Sequence, residues 1–334
     1  MSRTSADFIT VTSKCDLATT SVASAQRPTA RWPPVVRLED VVSFVDEEIA
    51  SQPACWRRAV ELAPAVVGLP APGERVAVIG CGTSWFVAQA YAGLRESSGQ
   101  GETDAYTASE VPTGRAYDRV VAITRSGTTT EVLAILAELR GTVPTTVITG
   151  DPNTPIMQAA DEVIVLGFAD EQSVVQTRFA TTTLTLLRAH LGEDLTEVIA
   201  QADVTVTEPL PDGVLDRGQY TFLSTGWSIG LANEAALKMR EASLSWAESY
   251  PATEYRHGPM SITDENSVVW LLGDNPPELS AEIEAMRGLV VHVPGRDAQA
   301  ELIRAQRLAV GRGVARGLNP DLPRNLSRSI ILDV

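Results

Sequence analysis

Three residue types that often carry chemistry are scarce in this 334-residue chain, and their scarcity argues against several kinds of site. Lysine occurs only twice, and there are three cysteines and three histidines. The cysteines cannot all pair, and no CxxC spacing or Cys/His cluster indicates zinc. The lysines, cysteines and histidines of the chain are Lys14, Lys238, Cys15, Cys55, Cys81, His190, His257 and His292. We expect reduced thiols and neither a metal nor another cofactor.

Excess positive charge and long apolar runs are also missing. The formal net charge is −15, so long-range attraction to a polyanion has the wrong sign. No apolar run reaches the roughly 18 residues that a membrane span requires. The first residues lack the basic and apolar regions of a secretory leader. The sequence therefore predicts a cytoplasmic protein that binds neither nucleic acid nor a membrane.

Short β-rich runs alternate with helical stretches along most of the chain. The runs predict strands at residues 75–79, 120–124, 145–149, 163–166, 220–224, 268–272 and 289–293. The intervening patterns predict helices near residues 85–96, 132–139, 179–190 and 229–242. Because this alternation is typical of parallel strands joined by crossover helices, we expect an α/β fold.

The same order of strand, glycine turn and helix recurs in the second half, which predicts two similar domains. Residues 1–37 end in a proline-rich stretch and are predicted to be a flexible tail. Residues 38–205 form the first predicted domain, opening with two helices separated by Pro53. Residues 206–334 form the second predicted domain together with a C-terminal tail.

Two glycine- and hydroxyl-rich loops in the first half are candidates for binding a phosphate. Each follows a predicted strand and precedes a predicted helix, where free amides and the helix dipole favour an anion. The residues are Cys81, Gly82, Thr83 and Ser84 in the first loop, and Thr124, Arg125, Ser126, Gly127 and Thr129 in the second. The alternative is that these hydroxyls only cap helices. Neither loop has the spacing of a dinucleotide or nucleoside-triphosphate motif, so a compact phosphomonoester fits better.

Three charged residues fall on one face of the helix predicted near 229–242. Glu234, Lys238 and Glu241 occupy positions i, i+4 and i+7, and their neighbours are mostly apolar. One interpretation is a solvated charge stripe. The other is a functional group of charges, because buried charges are costly unless they are paired or used.

His257 precedes Gly258-Pro259, so it is predicted in a turn. A turn can present the imidazole ring to a cleft, and a pKa near neutrality suits proton transfer. The alternative is an exposed histidine without a special role, which is also our interpretation of His190 and His292.

Together these stretches resemble the sugar isomerase (SIS) superfamily, and in particular the isomerase half of the glutamine–fructose-6-phosphate aminotransferases. The likeness begins near residues 48–53, passes through both loops, the charged helix and the His257 turn, and ends in residues 323–329. It implies two SIS domains, each a parallel five-stranded sheet flanked by helices in a three-layer α/β/α sandwich. It also implies a homodimer with shared active sites.

The resemblance also implies roles for individual residues. Ser84, Thr124, Ser126 and Thr129 match the positions that hold the sugar 6-phosphate. Glu241 matches the base that moves a proton between C1 and C2, with Glu234 and Lys238 as supporting residues. His257 matches the ring-opening histidine, which the partner subunit contributes.

Several departures from the aminotransferase pattern argue against glutamine-dependent synthesis. No glutaminase domain is recognisable in the chain, and residues 173–179 differ from the family's stretch. Arg125 replaces a glutamine, and we expect it to add positive charge beside the phosphate. Arg328 stands where the synthase has its Schiff-base lysine, and a guanidinium cannot take that covalent role. We expect Arg328 to be a contact from the C-terminal tail.

The predicted function is deamination and isomerisation of glucosamine 6-phosphate to fructose 6-phosphate and ammonia. Three alternatives stay open at this point. They are dehydration of an N-acetylhexosamine 6-phosphate, removal of an amino-acid adduct from a fructosamine phosphate, and sensing of a sugar phosphate without catalysis.

Overall fold

The computed structural model describes residues 43–332, in which helices and parallel strands alternate. The α-helices are α1 (Phe44–Ala50), α2 (Gln52–Leu62), α3 (Thr83–Ser97), α4 (Thr130–Leu139), α5 (Arg178–His190), α6 (Thr196–Thr205), α7 (Ile229–Ser243), α8 (Leu279–Ala285) and α9 (Ala298–Ala315). The strands are β1 (Val76–Gly80), β2 (Thr103–Thr107), β3 (Arg119–Thr124), β4 (Thr145–Thr149), β5 (Glu162–Val165), β6 (Gln219–Ser224), β7 (Ala247–Pro251), β8 (Ser267–Leu271) and β9 (Leu289–Val291). The predicted tail, residues 1–37, lies outside the described residues.

The strands form two parallel sheets, which confirms the predicted α/β class. The first sheet has five strands in the order β2-β1-β3-β4-β5, and the second has the order β7-β6-β8-β9. The expectation of five strands in the second sheet was wrong for residues 43–332, where that sheet has four. After β9 the chain passes into α9 (18 residues), which packs against α7 instead of extending the sheet.

The central strands were predictable because they are buried along their whole length. Every residue of β1, β4 and β8 is buried, so these strands are continuous apolar or threonine-rich runs. The edge strands β2 and β7 are mostly half-buried and polar, and the sequence pattern did not predict them. Helices α6, α8 and α9 were also not predicted.

Helices α3, α7 and α9 join the two halves of the molecule. Helix α3 packs against α7, and α7 packs against α9. At Gly230 in α7, an added Cβ would lie 2.4 Å from the carbonyl oxygen of Phe86 in α3, so glycine permits the close approach. One apolar core cluster extends from β1 and β3 through α3 and α7 to β6 and β8. The start of α3 and the end of α7 are thereby fixed relative to each other.

None of the helices in residues 43–332 has both the length and the apolar character needed to cross a membrane.

Candidate active site

A cavity of about 150 Å³ lies at the carboxyl ends of β1 and β3, where both candidate phosphate loops meet. In parallel sheets, ligands gather at this edge. The cavity brings together ten of the predicted site residues: Cys81, Gly82, Thr83, Ser84, Thr124, Arg125, Ser126, Thr129, Glu241 and Arg328. The remaining predicted residues, Gly127, Lys238, Glu234 and His257, do not line it.

The first loop connects β1 to α3 through a tight turn. Gly82 has a φ of 55°, in the left-handed region that favours glycine, and it precedes the first residue of the helix. Helix α3 has no side-chain cap, and Thr83 and Ser84 are buried beside the cavity. Burial raises the pKa of the Cys81 thiol in this loop, which favours its protonated form. The loop therefore offers an uncapped helix start and hydroxyls to an anion.

The second loop connects β3 to α4 and leaves a hydroxyl without a partner. The Oγ1 atom of Thr124 is buried, and within residues 43–332 it has no hydrogen-bond partner. Helix α4 begins after Thr129, also without a side-chain cap. Leaving a buried polar atom unmet costs about 1–3 kcal/mol, so a ligand that bonds Thr124 would be favoured. Gly127 shapes this turn with a φ of 63°.

The C-terminal segment forms a wall of the cavity. Of the residues in this wall, the sequence analysis predicted only Arg328. Leu326, Ser327, Ser329 and Ile330 also line it. The Ser329 hydroxyl lies 3.1 Å from Ser126 Oγ and accepts from Thr128 Oγ1 at 3.0 Å. The resemblance of residues 323–329 to the family was the signal for this wall, but it did not identify these contacts.

Gln176 is a further residue of the cavity that the sequence analysis did not predict. It lines the cavity just before α5, and its buried Oε1 atom has no hydrogen-bond partner in the described part of the chain. The only hint in the sequence was that residues 173–179 depart from the family's stretch. Gln176 thus adds an amide to the hydroxyls of the two loops.

The charged face of α7 is buried, which rules out the solvated stripe among the two interpretations left open by the sequence. Glu234 and Lys238 are 0% and 1% exposed, so the face is not a solvated stripe. The Lys238 Nζ atom lies 3.4 Å from Glu234 Oε1, donates to Glu241, and donates to Thr83 Oγ1 at 3.0 Å. Lys238 therefore connects the carboxylate at the cavity to the first phosphate loop.

Burial and the mutual charges of this group change the pKa values of two of its members. Burial raises the pKa of Glu234 to about 8, although the charge of Lys238 opposes the shift. Burial alone would lower the pKa of Lys238, but the charges of Glu234 and Glu241 outweigh it and raise the pKa. Lys238 therefore keeps its proton at neutral pH.

His257 lies apart from the cavity in the single chain. It is exposed and ends a short 3-10 helix, Glu254–His257, which agrees with its predicted position in a turn. Gly258 follows with a φ of 135°, a conformation that favours glycine.

The two arginines that distinguish the cavity from the family pattern are both held by carboxylates. Arg125, which we expected to add positive charge beside the phosphate, forms a buried ion pair with Glu171 at 3.1 Å. Arg328 donates to Asp170 Oδ1 at 2.5 Å. Within residues 43–332 the charge of Arg125 is thus paired with a buried carboxylate.

A larger cavity, of about 490 Å³, lies at the carboxyl end of the second sheet, but its charges do not suit a phosphate. Asp274 and Glu197 line it, and its cation Arg296 already pairs with Glu208 and Glu301. It contains none of the predicted site residues. Residues 43–332 also contain no group of His, Cys, Asp and Glu side chains suited to hold a metal ion. We therefore take the smaller cavity as the candidate active site.

Curated relatives match the chain over most of its length. A glutamine–fructose-6-phosphate aminotransferase (isomerizing) from Sulfurisphaera tokodaii is 26% identical over 304 residues, covering 78% of this chain and 50% of the relative. The corresponding protein from Gloeobacter violaceus is 27% identical over 375 residues, covering 90% and 60%. The chain thus spans about half the length of the curated relatives it matches.

Solved structures share the fold at low sequence identity. A glucosamine-6-phosphate deaminase from Thermotoga maritima has a TM-score of 0.75 and 23% identity, covering 87% of this chain and 100% of that chain. A tagatose-6-phosphate ketose/aldose isomerase from Escherichia coli has a TM-score of 0.72 and 21% identity, covering 84% and 94%. At such identities the likeness concerns the fold alone.

A family comparison covers the part of the chain that contains both candidate phosphate loops. The SIS domain family matches residues 71–191, which include the first sheet and helices α3 to α5. The relatives above match over their isomerase portion, in agreement with the resemblance in the sequence. Residues 71–191 of this chain therefore form a SIS domain.

Proposed function

We propose that the cavity at β1 and β3 binds a sugar 6-phosphate, and that the chain converts glucosamine 6-phosphate and water to fructose 6-phosphate and ammonia. The observation that carries this proposal is that Glu241 lines the same cavity as both hydroxyl-rich loops. A carboxylate for proton transfer thus lies beside a site suited to a phosphate.

The phosphate is held by hydroxyls and helix amides rather than by a free cation. Ser84, Ser126 and Thr129 line the cavity at the starts of α3 and α4, and Thr124 contributes its unpartnered hydroxyl. Backbone amides at helix N-termini bind phosphate without a basic side chain. This explains how a chain with a net charge of −15 can hold a small anion.

Glu241 acts as the base in this proposal. It removes the proton from C2 of the open-chain aldehyde while O1 takes up a proton, giving an enolamine. A proton is then delivered to C1 as the nitrogen releases one. Water hydrolyses the resulting imine at C2 and releases ammonia. The Lys238 ammonium, which contacts Glu241, orients the carboxylate and can stabilise negative charge that develops on the sugar.

Further elements of the proposal concern the assembly, the domain organisation and the location of the protein. The chain is a homodimer of two-domain subunits, with a boundary near residue 205, and it works in the cytoplasm. The exposed His257 opens the sugar ring in the partner subunit's cavity. Its position outside the cavity of its own chain supports this arrangement.

Synthesis of glucosamine 6-phosphate by the aminotransferase route is disfavoured by the pairing of Arg328. That residue stands at the Schiff-base position of the resemblance, and its guanidinium forms an ion pair with Asp170. A guanidinium stays protonated and does not form the required imine.

A turnover panel tests the proposal. Purified protein is given glucosamine, N-acetylglucosamine, galactosamine and fructosamine 6-phosphates, and ammonia and ketose phosphate are measured. We expect ammonia from glucosamine 6-phosphate, and Glu241→Gln to lower kcat by about 10²–10⁴-fold, the usual contribution of a general base. Glu110→Gln, at an exposed carboxylate, is the matched control and should leave kcat unchanged.

Other outcomes of the panel would replace the proposed reaction. An unsaturated chromophore from the N-acetylated sugar indicates the dehydratase, and release of the amine from fructosamine phosphate indicates the deglycase. Binding without turnover indicates a sensor. If Glu241→Gln turns over every accepted substrate at the wild-type rate, Glu241 is not the base.

A further inference from the structure

Arg125 belongs to the second phosphate loop, but its guanidinium bonds are made elsewhere. Its Nη1 donates to Glu171 Oε2 and to the Ser173 carbonyl, both at 3.1 Å. Its Nη2 donates to the carbonyls of Val174 and Arg328 at 3.0 and 3.3 Å. The remaining Nε is buried, and no partner for it lies within residues 43–332. Four of the five N–H donors of this side chain are therefore used within the protein.

The carboxylate that holds Arg125 is itself part of a chain of contacts to α5. Glu171 Oε1 accepts from the backbone amides of Thr177 and Arg178 at 2.6 and 2.7 Å. The side chains of Arg125 and Glu171 are 2% and 0% exposed, so solvent screens this ion pair little. Arg125 thereby connects the phosphate loop to the start of α5, next to Gln176.

The C-terminal segment is the third element that this arrangement holds. In this segment, the backbone carbonyl of Arg328 accepts a hydrogen bond from Arg125. The side chain of Arg328 pairs with Asp170, the neighbour of Glu171. Two adjacent carboxylates thus hold two arginines, one from the loop and one from the segment. Residues 326–330 of that segment form one wall of the cavity.

We propose that Arg125 is a positioning residue, which together with Arg328 holds residues 326–330 and the start of α5 in place as walls of the cavity, and is not a ligand of the phosphate. The contact of the sugar with these walls rests on the proposed function. The contact of the segment with Arg125 does not, and it can be tested separately.

Hydrogen–deuterium exchange of the full chain tests the positioning role without a substrate. We expect Arg125→Met and Arg125→Lys to accelerate exchange in residues 321–332 by about tenfold or more, since loss of charged hydrogen bonds favours local opening. Lysine keeps the charge but cannot make four bonds, so it should not rescue. The matched control is Arg304→Met, which breaks another buried Arg–Glu pair, with Glu301 at 2.9 Å. The acidic partners of Arg304, Glu301 and Glu208, lie outside residues 321–332.

The double variant Arg125→Met/Glu171→Gln covers the case in which a single variant unfolds, because it leaves no unpaired buried charge. It should accelerate exchange in the segment about as much as Arg125→Met does. Unchanged exchange in the segment of any folded Arg125 variant overturns the proposal.

Binding of inorganic phosphate separates positioning from ligation. If Arg125 is a positioning residue, the Kd of phosphate in Arg125→Met should stay within about threefold of the wild-type value. The KM of an accepted sugar phosphate should rise about tenfold or more. If Arg125 is instead a ligand of the phosphate, we expect the reverse pattern. Arg125→Met should then lose affinity for phosphate, and Glu171→Gln should bind phosphate more tightly because the guanidinium of Arg125 is released. That second pattern overturns the proposal. If the wild type binds no phosphate and no sugar phosphate, the proposed function fails, and the exchange result alone decides the role of Arg125.

Discussion

At the scale of single residues, the buried ionisable side chains of α7 are the feature that distinguishes this site from a surface stripe. Glu234 and Lys238 lie within the apolar interior, and their contact at 3.4 Å compensates only part of the cost of burial. Neither oxygen of Glu234 has a hydrogen-bond partner among residues 43–332. Such an arrangement is retained at a cost in stability, which suits a functional role.

The raised pKa of Glu234 predicts a specific pH dependence of stability. Burial raises the pKa from its ordinary value of 4.5 to about 8, so between these values the folded chain binds a proton that the unfolded chain has released. The contribution of Glu234 to the free energy of unfolding should therefore fall as pH rises from about 4.5 to 8. In Glu234→Gln this contribution disappears, so the stability of the variant relative to wild type should increase with pH.

Urea unfolding of both proteins at several pH values between 5 and 8.5 measures this difference. Glu162→Gln, at an exposed carboxylate, is the control and should follow the wild-type curve. A difference between Glu234→Gln and wild type that stays constant with pH would show that the pKa of Glu234 is not raised.

At the scale of secondary-structure elements, the site depends on the close crossing of α3 and α7. Helix α3 starts at the first phosphate loop, and α7 carries Glu241 near its end. Their contact at Gly230 leaves no room for a side chain, because the nearest atoms are backbone atoms of Phe86 and Ala90. A change there should alter both stability and the distance between phosphate loop and base.

Gly230→Ala is expected to destabilise the fold by about 1–3 kcal/mol, the usual cost of overpacking a well-packed contact. It should also lower kcat for the accepted substrate, because Glu241 moves relative to the phosphate. Urea unfolding and steady-state kinetics measure the two effects. Gly114→Ala is the control, since an added Cβ there meets no atom within 4 Å. Equal stability of both variants would contradict the argument from packing.

At the scale of the whole molecule, the separation of His257 from the cavity predicts a shared site. If Glu241 and His257 of one site belong to different subunits, a heterodimer of two inactive variants contains one intact site. Glu241→Gln and His257→Ala are therefore mixed under conditions that allow subunit exchange. We expect activity to return to roughly a quarter of wild type, the statistical share of intact sites in a mixed homodimer population.

Sedimentation of the mixture gives the assembly state in the same experiment. Each variant incubated alone is the control and should stay inactive. If the mixture sediments as a dimer and activity does not return, both residues belong to one subunit's site. If the wild-type chain sediments as a monomer and is fully active, no partner subunit is needed.

The sequence by itself determined the α/β class, the buried central strands and the two hydroxyl-rich loops, because these follow from local patterns. Apolar runs such as β1 identify strands, and a glycine followed by hydroxyls marks a turn before a helix. The edge strands β2 and β7 were not predictable, since a half-buried polar strand has no pattern of its own.

Only the tertiary structure decided which side chains meet. Whether Glu234 and Lys238 are solvated or buried depends on the packing of α7 against α3 and α9, and not on their spacing. The partners of Arg125 include the carbonyl of Arg328, 203 residues further along the chain. No local pattern encodes a contact of that separation, so the charge that the sequence assigned to a phosphate is neutralised by Glu171 in the folded chain.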